Sequence, residues 1–173
     1  VDLEVFMLAR DKARTMRICQ EHRIRCPRTW FPEEQPIEAI ASEVTWPALV
    51  QPRISHGAMG IRRAHDAAGL AEVYSKTVEE YGPSIVREFV PQTDLQYEAQ
   101  LVRDRDGSYK AGVVFNKLRY FPVTGGTSFA NAAVPRDDIL ERCRRLLDAM
   151  SWTSYAAVDL IQDPRDGVAK VME

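Results

Sequence analysis

Apolar positions three and four residues apart mark the helices of this chain. Over Asp11–His22 they gather Ala13, Met16, Ile18 and Cys19 toward one side. Ala67–Tyr81 repeats the pattern through Leu70, Val73, Tyr74 and Val78, and Gly82-Pro83 closes it. Asp137–Met150 does so through Ile139, Leu140, Cys143, Leu146 and Leu147, after Pro135. Pro36–Val44 predicts a shorter helix with Ile37, Ile40 and Ala41 inward. Pro27 and Pro32 punctuate Arg25–Pro32, which reads as a connection or short strand. Strands are predicted at Ala48–Gln51, Gly60–Arg63 and Ser84–Val90, the last ending at Pro91. Leu95–Arg103 alternates, turns at Asp104-Arg105-Asp106-Gly107 and returns as Tyr109–Phe121. Gly125-Gly126-Thr127-Ser128 opens a flexible loop, and Tyr155–Gln162 with Val168–Glu173 forms a last hairpin. The sum is an α+β chain: a small lobe to about Glu88, then a larger antiparallel lobe.

Composition narrows the class. The 173 residues are 45% hydrophobic and 28% charged, as in a globular protein. A net charge of −2 gives no reason to expect nucleic acid as a partner. Arg62, Arg63, Arg142, Arg144 and Arg145 read as solvated positions. Cys19, Cys26 and Cys143 form neither a disulfide framework nor a metal-binding spacing, which points to a reducing, cytoplasmic setting. No apolar run is long enough to span a bilayer and no signal peptide is visible, so no membrane partner is expected. The chain begins inside an apolar run and ends directly after a strand. Residues 1–23 are therefore expected to link to a further N-terminal domain, residues 24–88 to form the small lobe, and 89–173 a larger lobe cut at its C-terminus.

The last hairpin carries a pair of acids. A turn centred on Asp166, flanked by Pro164 and Gly167, sets Asp159 opposite Glu173. Alternation then puts both on one face with Ala157, Ile161, Ala169 and Val171. Carboxylates directly opposed across two strands sit with Cβ atoms ~5 Å apart and repel. A divalent cation reverses that sign, and Mg²⁺ takes one or two carboxylates together with phosphate oxygens and water. Two fraying acids reaching water is the plainer reading, and a one-residue slip would send Glu173 to the other face.

Pro47–Arg63, "PALVQPRISHGAMGIRR", holds Gly57 and Gly60 between two strand-like stretches. A P-loop must open a helix and end in Gly-Lys, whereas Gly60 leads into Ile61-Arg62-Arg63. A loop between antiparallel strands can instead fold down over a nucleotide as a lid of backbone N–H groups.

These segments together resemble the ATP-grasp superfamily, most nearly its carbamoyl-phosphate-synthase-like branch. Asp11-Lys12 resembles the family's "DK" helix start, and "IRCPRTW" its "gip-P-t" connection. "PALVQPRISHGAMGI" resembles the "P-vvvKPr…G…Gv" lid, and "SIVREFVPQTD" the hinge strand "iv-EfI-G-e". "AAVDLIQDPRDGVAKVME" resembles "vDf-d…g—liE". The resemblance implies two α+β lobes with mainly antiparallel sheets and the nucleotide between them. It implies ATP and Mg²⁺ (or Mn²⁺) as cofactors, with Asp159 and Glu173 at the metal positions. Lys12 would touch the phosphates, Glu88 and the Val90 backbone the adenine edge, and Asp94 the ribose hydroxyls. Gly57 belongs to the lid. Arg119, two residues from Lys117 on a strand, would steady the transferring phosphoryl group. "RYFPVTGGTS" resembles a substrate-side loop. His22, His56 and His65 have no partner spacing for metal or triad, although His56 sits within the lid.

The resemblance implies a ligase domain that activates a carboxylate or bicarbonate as an acyl phosphate for an amine or other nucleophile. Its partners would then be a small-molecule carboxylate, the nucleophile, and further domains of the same polypeptide. One departure favours an alternative, a non-catalytic nucleotide-binding regulatory module. Gln51 stands where the lid strand has Lys or Arg, which removes a charge-assisted hydrogen bond worth roughly 1.5–3 kcal/mol. Arg53, two residues on, is expected to make up part of that charge, and Gln51→Lys to tighten nucleotide binding. A plain interaction domain would make the ordered motifs a coincidence.

Overall fold

A computed structural model of the chain describes residues 2–121 and 127–173. It divides into two compact units, Pro27–Val90 and Val1–Cys26 with Pro91–Glu173.

In Pro27–Val90 four strands form a sheet ordered β1-β4-β2-β3: β1 Thr29–Trp30, β2 Ala48–Pro52, β3 Arg62–Ala64 and β4 Ser84–Glu88. Every neighbouring pair is antiparallel. Helices α3 (Ile37–Glu43) and α4 (Ala67–Tyr81) pack on it. Their apolar stripes bury Ile40 and Leu70 against Trp30, Ala48, Val50 and Val86. Asp66 starts α4 by accepting the Gly69 N–H (2.7 Å).

The other unit holds a five-stranded antiparallel sheet ordered β7-β6-β5-β8-β9. Its strands are β5 Gln96–Arg103, β6 Tyr109–Phe121, β7 Thr127–Val134, β8 Ser154–Gln162 and β9 Ala169–Val171. Helix α5 (Asp137–Ala149) packs on β5 and β6, burying Ile139, Cys143, Leu146 and Leu147. Tyr97, Ala99 and Leu101 on β5 and Ala156, Val158 and Leu160 on β8 are buried, and the intervening Glu98, Gln100, Ala157 and Asp159 alternate to the more open face. Helix α2 (Lys12–Glu21) lies against α5, with the Asp11 carboxylate accepting the Ala13 N–H (3.0 Å) at its start.

One element was not delimited by the periodicity, and one expectation needs correction. The apolar run at the N-terminus is a helix, α1 (Leu3–Arg10), started by Asp2 and burying none of its residues. The expected loop at Gly125-Gly126-Thr127-Ser128 is a strand from Thr127 onward, while Gly125 and Gly126 lie outside the described residues. Runs of Ala and Ser such as Ala130 and Ala132-Ala133 carry too little polarity contrast to show an alternation.

The base of the glycine loop is fixed. A Cβ on Gly60 (φ +74°) would lie 2.6 Å from Pro52 Cγ and 3.0 Å from the Tyr81 ring. The Arg62 guanidinium stacks over that ring (5.7 Å) and pairs with Glu80. At Gly57 (φ +57°) a Cβ would meet nothing within 4 Å. Gly57→Ala is therefore expected to cost only the left-handed backbone penalty, about 1–2 kcal/mol. Gly60→Ala adds a clash and costs more, so urea midpoints of the two variants should fall in that order.

Candidate functional site

In Pro27–Val90, Gln51 and Arg87 occupy the same face of the sheet, because Gln51 is paired with Ile85 and Leu49 with Arg87. Both are buried, and Arg87 Nη1 donates to Gln51 Oε1. A cation is therefore present at the lid strand, supplied by β4 instead of β2. Arg53, expected to make up part of that charge, is paired with an acid. Its Nη1 donates to both Glu33 oxygens at 3.1 Å. Gly57 lies at the tip of the loop, where the Met59 N–H donates to the His56 carbonyl (3.0 Å). The Glu88 N–H donates to the Arg28 carbonyl (2.8 Å), and its carboxylate accepts the Arg28 N–H (3.1 Å). Val90 is buried.

In the other unit the final hairpin has a different register from the one expected. Leu160 pairs with Val171 and Gln162 with Ala169, so the strands are offset by one residue. Ala169 and Val171 consequently lie on the fully buried side with Leu160. The cause is the turn. Asp163 closes it by donating its N–H to Val168 O (2.9 Å) and accepting the Gly167 N–H (2.8 Å), leaving four residues between them. The Asp163 side chain, 1% exposed, accepts from the Arg165 N–H (3.0 Å) and Nε (2.8 Å) and pairs with Lys170 Nζ (2.6 Å).

A second irregularity cancels the first. Met172 N–H donates to Asp159 O (2.7 Å), and Asp159 N–H donates to Glu173 O (2.9 Å). Two residues thus oppose Asp159, the pairing of a β-bulge, which restores Glu173 to its neighbourhood. The Glu173 carboxylate lies near enough to act on that of Asp159. Burial pushes the Asp159 pKa up, the Lys117 ammonium opposes this, and Glu173 and Glu98 add to it.

Each carboxylate is held by a lysine. Lys117 Nζ lies 2.6 Å from Asp159 Oδ1, and Lys12 Nζ 2.8 Å from Glu173 Oε2. Lys12 sits in the first turn of α2, where a positive charge opposes the helix dipole, so an anionic partner offsets an unfavourable position. Glu98 faces Asp159 across the β5–β8 ladder, and its carboxylate accepts from Gln100 Nε2 (2.5 Å).

Of the sequence-derived candidates, the structure thus joins Lys12 to Glu173 and sets Glu173 beside Asp159. Arg119 is exposed, and a register shift separates it from Lys117, so their shared face does not follow from alternation. Asp94 is exposed ahead of β5. Glu98 and Arg87 were not singled out from sequence, and Lys117 only as the strand neighbour of Arg119. For Lys117 the signal was its place beside Arg119; nothing local indicates that β8 lies beside β5. Among the described residues no group of three or more His, Cys, Asp or Glu is placed to hold a metal ion. Two carboxylates suit Mg²⁺ when phosphate oxygens and water complete the set. The arginines read as solvated have structural partners: Arg63 stacks on Phe89, Arg142 donates to Ala169 O and Arg145 to His22 O. Among the described residues no helix is long and apolar enough to cross a membrane.

No protein-family model matches the chain. It is 28% identical over 167 residues to a D-alanine–D-alanine ligase of Nitrosospira multiformis, covering 90% of this chain and 53% of the ligase. In structure it is similar to the biotin carboxylase domain of Hydrogenobacter thermophilus 2-oxoglutarate carboxylase, solved with MgADP, ADP and bicarbonate. That match has a TM-score of 0.77 at 16% identity, over 98% of this chain and 40% of that one. A D-Ala:D-Ser ligase of Enterococcus faecalis matches with a TM-score of 0.69 at 16% identity, over 96% and 52%. The chain has the ATP-grasp fold. It spans about half the length of the ligases it matches.

Two outcomes follow from these contacts. Gln51→Lys is expected to place an ammonium beside the buried Arg87 guanidinium, lowering stability by about 2 kcal/mol or more without tightening nucleotide binding. Thermal melts and nucleotide titrations check both parts. Asp163 has a pKa held well below the ordinary carboxylate value by Arg165 and then Lys170, against the cost of burial. A depressed folded-state pKa contributes stability above the unfolded value, near 3.9, that is lost as pH falls through the folded one. Asp163→Asn should therefore cost about 2–4 kcal/mol at pH 7 and flatten the acid limb of the stability profile below about pH 4.

Proposed function

We propose that the protein is an ATP- and Mg²⁺-dependent ligase domain. It would activate a carboxylate or bicarbonate as an acyl phosphate for attack by an amine or other nucleophile. The observation that carries this reading is the pair of carboxylates, Asp159 and Glu173, brought together by a bulge and each held by a lysine. The ligase names of the relatives support it.

In this reading the γ-phosphoryl group of ATP passes to a carboxylate oxygen, releasing ADP. The nucleophile then adds at the acyl carbon and inorganic phosphate leaves. No protein nucleophile takes part; positioning and charge stabilisation supply the rate. Lys12, Arg53 and the lid around Gly57 face the phosphates, with Gln51 backed by Arg87. Glu88 and the Val90 backbone meet the adenine edge, and Asp94 accepts from the ribose hydroxyls. Arg119 steadies the transferring group. Asp159 and Glu173 would hold Mg²⁺ or Mn²⁺, which would supply charge neutralisation at the phosphates. The acceptor carboxylate, the nucleophile and the additional domains of the polypeptide complete the set of partners.

A second reading, a nucleotide-binding regulatory module, is favoured by one observation: the phosphate-facing position of the lid strand is a neutral amide. Nucleotide titration with and without Mg²⁺, followed by ADP release across a panel of carboxylates and bicarbonate, separates the two. Turnover supports the ligase; binding with no turnover in the full-length protein supports the module; no binding at millimolar ATP removes both. Asp159→Asn should abolish the Mg²⁺ dependence of nucleotide binding, and because it leaves the buried Lys117 ammonium without its carboxylate it should also cost the metal-free fold about 2 kcal/mol or more. If the Mg²⁺ dependence survives while the fold weakens, Asp159 is a structural acceptor for Lys117.

A further inference from the structure

Two irregularities in the β6–β7 ladder cancel one another. Lys117 pairs with Asn131 and Arg119 with Ala130, so Leu118 is an extra residue on β6. Tyr120 pairs with Ser128, so Phe129 is an extra residue on β7. The register is the same before and after, and the two bulges do nothing for the alignment of the strands. A bulge also re-aims the side chains beside it, and that local effect is what remains.

Both extra residues are large and apolar, and both stand in the open: Leu118 is 56% exposed and Phe129 67%. Phe121, at the end of β6, is 77% exposed. Diagonal neighbours across a ladder lie ~7–8 Å apart, within reach of side chains of this size. A single exposed apolar residue is ordinary, whereas three on two paired strands form a patch. Arg119 stands among them, exposed. Every other strand arginine has a partner: Arg62 pairs with Glu80, Arg63 stacks on Phe89, Arg87 donates to Gln51 and Arg103 to Asp148. Among the described residues the Arg119 guanidinium has none.

An apolar patch around an uncompensated guanidinium fits an organic anion with an apolar body. A guanidinium is weakly hydrated, and its planar fork matches a carboxylate. We infer that Leu118, Phe121 and Phe129 form the specificity surface for the acceptor, a carboxylate with a large aromatic or aliphatic body whose charge is held by Arg119. This rests on the proposed ligase reading, and narrows its acceptor to apolar organic acids. Lys117, next to Leu118, lies 2.6 Å from Asp159, so the patch adjoins the carboxylate pair. Bicarbonate has no body to cover the patch and gains nothing from it. One methylene in a closed pocket is worth about tenfold or more, so a whole ring on an open patch is expected to give about tenfold.

The test uses the full-length protein, with 3-phenylpropionate and octanoate as apolar probes and acetate and bicarbonate as small ones. Calorimetry reads binding, and ADP release from MgATP reads turnover. The unaltered protein should bind the apolar probes at least about tenfold more tightly than acetate. Leu118→Ser and Phe129→Ser should each lower that ratio about threefold or more, with acetate binding and melting temperature unchanged; Phe129→Leu should retain it. Arg119→Gln should weaken binding of every carboxylate about tenfold, and leave binding of the neutral 3-phenylpropionamide unchanged. Should either serine variant fail to fold, Phe121→Ser carries the same readout. Equal binding of acetate and the apolar probes, or an unchanged ratio in the variants, overturns the inference. So does an unchanged ratio accompanied by loss of self-association in sedimentation, which would assign the patch to a contact between copies. Preference for the apolar probes without ADP release from any carboxylate removes the ligase reading and leaves the apolar-anion site standing. ADP release from every carboxylate alike does the reverse.

Discussion

The buried carboxylate of Asp163 governs the geometry of everything proposed for this site. It holds Lys170 from one strand and Arg165 from the turn, and its backbone closes the hairpin onto Val168. Those contacts choose a four-residue turn, and the turn chooses which residues of β9 face the core. Ala169 and Val171 go inward, and Glu173 is left one position out of step with Asp159. The bulge at Met172 and Glu173 then corrects the step. A buried ion pair is a weak general argument for stability, but fixing one register against its neighbours is the use for which such pairs are best supported.

Much of this was legible in the chain. The helix at Ala67–Tyr81 and the strand at Tyr109–Phe121 have the expected bounds, because Gly82-Pro83 and Asp104–Gly107 are strong local punctuation. The pairing of Asp159 with Glu173 was reached from a wrong premise: the turn is one residue longer than its glycine suggests, and the bulge supplies the missing residue. Bulges have no reliable sequence mark, so the agreement came from two compensating errors. The partner of Lys117 was hidden for a different reason. The contact with Asp159 depends on β5 lying between β6 and β8, a long-range pairing that periodicity does not encode.

Gln51 illustrates the limit of reading a site one position at a time. In sequence it is a lost cation. In the sheet the cation stands on the adjoining strand, with the amide as its acceptor. A guanidinium on β4 is less mobile than an ammonium on β2 would be, since a planar fork buried at its base has few alternative rotamers. The two units therefore use positive charge differently: a guanidinium on the strand beside the lid strand, and ammonium groups at the carboxylates.

The unit Pro27–Val90 is inserted into the other, whose N-terminal residues 1–26 must meet strands beginning at Gln96. Backbone bonds already join the two regions, since Val171 N–H donates to the Arg25 carbonyl (2.8 Å). If the insert were still unfolded, closing that loop would cost on the order of 3–4 kcal/mol in chain entropy. Within the insert, however, the first and last strands are neighbours: Thr29 pairs with Arg87, and Glu88 N–H donates to Arg28 O. Once the insert folds, its two ends are held side by side and the effective loop shrinks to a few residues. The cheaper order of assembly runs from the inside of the sequence outward, with the carboxylate-bearing sheet completed only after the lid-bearing one.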